Sequence, residues 1–126
     1  MKYQVTLSLD VALESIKDFS KRVETFEKDE ETRHTFFYEE KSVVFEEYAE
    51  IIRKIIDEIT KKFNVDKDNV IVDIPSESFW DNHCSIEFTF SVEEDKLKQF
   101  KRNDLNDYDD RVELCGKTLY LYAYEE

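Results

Sequence analysis

Tyr3, Val5, Leu7 and Leu9 alternate with Lys2, Gln4, Thr6 and Ser8, the period-two signal of a strand with one buried face. Asp10 then stands where a helix cap is expected, because Ala12, Ile16, Phe19, Val23 and Phe26 follow at steps of four, three, four and three. That spacing predicts a helix with one apolar stripe running to about residue 30. The next segment, TRHTFFYEEKSVVFEE, carries aromatics that favour a strand and glutamates that a helix accommodates, so residues 32–42 read as helix, hairpin or loop.

A second helix is predicted from about Ser42 to Phe63. Phe45, Ala49, Ile52, Ile56, Ile59 and Phe63 form one apolar row, with Val44, Tyr48, Ile51 and Ile55 beside it. Two adjacent rows make a stripe broad enough to meet both a sheet and another helix. Glu46, Glu47 and Glu50 near its start and Lys61 and Lys62 at its end suit the helix dipole and need no functional explanation.

Beyond it, NVIVDI reads as a short strand closed by Pro75. Cys84, Ile86, Phe88, Phe90 and Val92 alternate with Ser85, Glu87, Thr89 and Ser91, the clearest strand in the chain. EEDKLKQFKR gives a short helix. RVELCGKTLYLYAY gives a hairpin with Gly116 and Lys117 as its two-residue turn. The last strand sets Leu119, Leu121 and Ala123 on one face and Tyr120, Tyr122 and Tyr124 on the other. These elements make an α+β fold: an antiparallel sheet of about four to five strands with two long helices packed on one face.

Composition agrees with a packed core. The chain has 126 residues, 40% of them hydrophobic, with ten Phe and seven Tyr, and one domain spanning 1–126 suffices for that length. Gly116 and Pro75 are alone of their kinds, which leaves no material for a glycine-rich phosphate loop. The amino-terminal alternation is not that of a signal peptide, and no apolar run approaches the ~20 residues that span a bilayer. A cytoplasmic location is expected, the host cytoplasm if the protein is viral. The two cysteines differ in strand parity, so a disulfide is not expected.

Charge changes the picture most. The net is −13, distributed as −6 over residues 27–50 and −8 over residues 70–126, while residues 1–26 are balanced and residues 51–69 carry +1. NDLNDYDDR alone places Asp104, Asp107, Asp109 and Asp110 beside a single cation, Arg111. An EF-hand calcium loop is excluded by spacing, since it needs oxygen ligands at positions one, three and five and glycine at six. From Asp104 position five is Tyr108, from Asp107 it is Arg111, and from Asp66 it is Val70.

WDNHCS brings Asp81, His83 and Cys84 together in sequence, but neighbouring strand residues point to opposite faces. Cys84 shares parity with Ile86 and Phe88 and reads as a small buried hydrophobe. Zinc finds enough ligands by count in His34, His83, Cys84 and Cys115, yet no paired ligand spacing.

The remaining candidate is a surface. A domain of this size is roughly 36 Å across, and that length of duplex DNA carries about 20 negative charges, a scale comparable with −13. Carboxylates of Glu27, Asp29, Glu30, Glu31, Asp104, Asp107, Asp109 and Asp110 supply the charge, and Tyr120, Tyr122 and Tyr124 the aromatic contacts that interfaces favour. The composition resembles that of phage-encoded inhibitors of CRISPR or restriction nucleases and of immunity proteins that neutralise nuclease toxins. The resemblance is one of class and aligns no residues. It implies an acidic inhibitor acting by DNA mimicry on a basic protein partner, a nuclease or other nucleic-acid-binding protein. No enzyme activity, cofactor, metal, direct nucleic-acid contact or membrane contact is expected. Alternatives are an oligomeric subunit assembling through the Ser42–Phe63 helix and a cysteine-dependent enzyme.

Overall fold

A computed structural model describes residues 2–16, 40–79, 83–98 and 111–126. Five strands, β1 (Lys2–Ala12), β2 (Ile71–Asp73), β3 (His83–Glu93), β4 (Arg111–Leu114) and β5 (Lys117–Glu125), form one sheet in the order β2-β3-β1-β5-β4. Every neighbouring pair is antiparallel. Residues 40–47 are helical and lead into α1 (Ala49–Phe63), and a short α2 (Glu94–Lys98) follows β3. The α+β class and the antiparallel sheet are those the sequence implies. The first predicted long helix, from Asp10 to about residue 30, lies outside the described residues from residue 17 onward.

Alternation decides which side of the sheet is buried. Val5, Leu7, Leu9 and Val11 of β1 face the core with Ile86, Phe88, Phe90 and Val92 of β3 and Leu119, Leu121 and Ala123 of β5. Val44, Ile55, Ile59, Phe63 and Leu97 close over them from the helical side. Phe63 meets Phe90 edge to face, with ring centroids 5.1 Å apart. Asn64 ends α1 in the left-handed region at φ 55°, a conformation asparagine tolerates better than most residues.

Three sequence expectations are corrected. Asp10 does not cap a helix: β1 continues through it to Ala12, with Asp10 opposite Ser85 and Ala12 opposite His83. The odd-numbered apolar run extends through Val11 to Leu13, and an 11-residue β3 is there to pair with it, so a long-range partner overrides the local helix spacing. A 3-10 turn, Leu13–Ser15, follows instead, and Ser15 Oγ donates to the Ala12 carbonyl at 2.6 Å.

The hairpin turn is Cys115–Gly116 rather than Gly116–Lys117, since Leu114 pairs with Lys117. Both turn residues have positive φ, 53° and 74°, as a type I′ turn requires. The second helix is interrupted at Tyr48 although hydrogen bonds continue through it, Tyr48 N–H to Val44 O at 2.9 Å and Ile52 N–H to Tyr48 O at 2.8 Å. Val44, Ile55, Ile59 and Phe63 are buried and Phe45, Tyr48, Ile51, Ile52 and Ile56 pack partly buried against the same core, so both predicted rows face it, while Ala49 is exposed. No helix among the described residues is long and apolar enough to cross a membrane.

Candidate functional site: the outer face of the sheet

The strands turn their other side chains away from the core, and pairing arranges these in rows. One row runs across all five strands: Asp73, Glu87, Ser8, Tyr120 and Arg111. The next holds Ile71, Thr89, Thr6 and Tyr122, with Thr6 and Thr89 sharing a hydroxyl hydrogen bond of 3.2 Å. A third holds Ser91, Gln4 and Tyr124. The partners of the tyrosines are thus β1 residues, and Glu87 and Thr89 lie one strand further on, because β1 is inserted between β3 and β5.

This face is open where it is aromatic. Tyr124 is 55% exposed, Tyr120 38% and Ile71 66%, whereas Tyr122 is half-buried between its neighbours. Arg111 lies over the Tyr120 ring, its Cζ 5.1 Å from the centroid, a cation–π contact. Carboxylates outnumber cations on the same face: Asp10, Asp73, Glu87, Glu93 and Glu113 against Lys2 and Arg111. Asp10 accepts from or pairs with His83 Nδ1 at 3.2 Å at one end. At the other, Ser91 donates to Glu126, whose N–H in turn bonds Lys2 O at 3.0 Å.

Glu87 is the electrostatic focus. Partial burial raises its pKa above the ordinary 4.5, and Glu77 and Asp73 raise it further. Burial also raises Tyr122, with Tyr120, Glu87 and Tyr124 adding to the effect, so tyrosine row and acidic cluster share one field. A carboxyl whose folded pKa is raised is favoured in its protonated form: the fold gains from it in acid and loses that gain as pH rises through the raised value. Glu87→Gln should therefore stabilise the protein at neutral pH, by about 0.5 kcal/mol for relief of a directly opposed like-charge pair, and the gain should shrink in acid. Urea melts at two pH values measure it; a loss of stability at neutral pH would contradict the assignment.

Other candidate chemistry fares differently. Cys84 is fully buried on the core face, and burial, then Asp10, then Glu40 push its thiol up to about 12. It stays protonated at neutral pH, the reverse of what a nucleophile needs. His83 points the other way, to the exposed face. Cys115 is half-buried in the turn, where its N–H donates to Glu58 Oε2 at 3.0 Å and where burial and Glu58 raise its thiol. Both cysteines are free thiols. Among the described residues no three His, Cys, Asp or Glu side chains converge as a metal site would need.

A cleft of about 710 Å³ opens at the end of α1 over Phe63, Val65 and Val92. Its wall mixes Lys2 and Lys96 with Asp66, Glu93 and Asp95, so its charge selects no one sign of ligand.

Of the residues that the sequence marks, Tyr120, Tyr122 and Tyr124 stand together on the outer face. Glu27, Asp29, Glu30, Glu31, Asp104, Asp107, Asp109 and Asp110 lie outside the described residues. Sequence reasoning missed Arg111, which it counted only against the aspartates. Correct turn placement would have found it: with Leu114 opposite Lys117, Arg111 falls opposite Tyr120. No known protein family, curated protein or solved structure matches the chain.

Proposed function

We propose that the protein is an acidic binding protein that occupies a basic, nucleic-acid-handling surface of a partner and so inhibits it, in the manner of phage anti-CRISPR or anti-restriction proteins that imitate DNA. The observation that carries this reading is the outer sheet face, where Tyr120 and Tyr124 stand in solvent among an excess of carboxylates while the opposite face supplies the core. A net charge of −13 supplies long-range attraction to a basic partner. Aromatic burial supplies the persistence that exposed ion pairs, at ~0–1 kcal/mol each, do not. In this mechanism the carboxylates of residues 27–31 and 103–110 add to the negative charge and stand in for phosphates. Self-association through the outer face is disfavoured, because two copies would bring like charges together.

The test is competition. The tagged protein is used at low salt to capture a partner from a bacterial lysate, duplex DNA is applied as eluant, and the released protein is identified. A basic nucleic-acid-binding protein should elute, and its own DNA binding or cleavage should fall when the acidic protein is added. A captured partner that duplex DNA cannot displace, or that keeps its full activity on DNA, would refute the reading.

A further inference from the structure

We infer that the outer sheet face recognises arginine side chains of its partner, each guanidinium lying on a β5 tyrosine ring and turned toward the carboxylates of the neighbouring strands. This deepens the binding role proposed above and rests on it: the group recognised is arginine, and the residues that recognise it are Tyr122, Tyr124 and Glu87.

The first support is internal. Arg111 already lies over Tyr120 at 5.1 Å, so the face holds a guanidinium against the first ring of the row. Tyr122 and Tyr124 repeat that ring along the strand at steps of roughly 6.6–7 Å, and Tyr124 presents more than half of its surface to solvent. The second support is the placement of charge. Glu87 stands opposite Asp73, is crowded by Glu77, and acts on Tyr122 across β1. Glu87 lies two strand spacings, about 9.6 Å, across the sheet from β5 and one row along from Tyr122, whose own row holds Thr6 and Thr89, so a guanidinium over Tyr122 turns toward Glu87 diagonally. Burial, then Glu77 and Asp73, raise Glu87 above its ordinary pKa, and a cation there relieves the part that comes from the neighbouring carboxylates.

Arginine fits this arrangement better than lysine. Its planar fork stacks on a ring and offers two parallel donors to a carboxylate at once, whereas an ammonium is a compact, strongly hydrated charge. Charge also separates the occupants. A second copy presents the same acidic face, and nucleic acid presents phosphate; a basic protein segment presents the complementary sign.

The experiment measures binding of nona-arginine and nona-lysine peptides to the full chain by fluorescence anisotropy. Tyr124→Leu, Tyr124→Phe and Tyr122→Leu are run alongside, and each variant's melt is recorded to show that it is folded. The arginine peptide should bind more tightly than the lysine peptide by roughly two- to fivefold per ring engaged. Tyr124→Leu should remove its share of that preference, and Tyr124→Phe, which keeps the aromatic face, should retain it. Equal, salt-sensitive binding of both peptides to the parent would overturn the arginine site while leaving an acidic binding surface in place. An undiminished arginine preference in both folded leucine variants would also overturn it. Failure of both peptides to bind would overturn the arginine site and count against the binding role itself.

Discussion

Phe88→Ala should cost about 3–5 kcal/mol of stability, a large part of the ~5–15 kcal/mol by which domains of this kind are stable. Phe88 is fully buried at the middle of β3, opposite Leu7 on β1 and Val72 on β2. Strand pairing holds the backbone on both sides, so little can collapse into the space a phenyl ring leaves. Two residues along on the same face, Phe90 is the ring that Phe63 of α1 packs against. Equilibrium urea unfolding measures the loss. Tyr124→Ala, on the exposed face, serves as the control and should cost less than about 1 kcal/mol, as surface substitutions do. A comparable loss at both positions would mean that the two faces of the sheet are not divided into core and surface as described.

The second large effect concerns association. Replacing Asp104, Asp107, Asp109 and Asp110 together with asparagine should slow encounter with the partner by about tenfold or more at low salt, the lower part of the range that electrostatic steering supplies. Dissociation should change much less. The difference between variant and parent should shrink as sodium chloride approaches about 1 M, where the Debye length falls to ~3 Å. A matched neutralisation of Glu46, Glu47 and Glu50 should act on the helix first, because Glu50 lies in the first turn of α1 and pairs with Lys54 at 3.4 Å. Stopped-flow association rates for the quadruple and the triple variant against the captured partner decide between them. An aspartate variant that associates as fast as the parent at low salt would reduce residues 103–111 to a solvated stretch without a role in steering.

The parts of the fold that were legible in the sequence are those written in local alternation. Cys84 to Val92 gave β3 to within a residue at each end, and the opposition of Leu119, Leu121 and Ala123 to Tyr120, Tyr122 and Tyr124 holds in β5. What local pattern could not supply was pairing. Ala12 and Ile16 fit a helix stripe while Val11 and Leu13 fit a strand, and only the presence of β3 alongside decides for the strand as far as Ala12. The turn was displaced by one residue because a left-handed cysteine is disfavoured, whereas the ladder from Val112–Leu119 to Leu114–Lys117 places Cys115 there regardless.

The site follows the same division. The tyrosines were visible by parity. The crowding of Glu87 was not, because Asp73 reaches it through an edge strand of three residues whose register no local pattern states. Arg111 escaped for the same reason, since a one-residue error in the turn moves it from Tyr120 to Tyr122.

The position of β1 has a consequence for how the protein is made. It precedes the other strands in the chain, yet it lies at the centre of the sheet, between β3 and β5. About 70 residues separate Ala12 from His83, where β3 begins, and at ~5–20 residues per second a ribosome needs on the order of 4–14 s to supply them. Throughout that interval a strand with Val5, Leu7, Leu9 and Val11 on one side has neither of its two native ladders to enter. The sheet closes only once β5 has also left the exit tunnel, so the growing chain passes through a long stage in which its most apolar edge depends on chaperones or on its own net negative charge to remain apart from other chains.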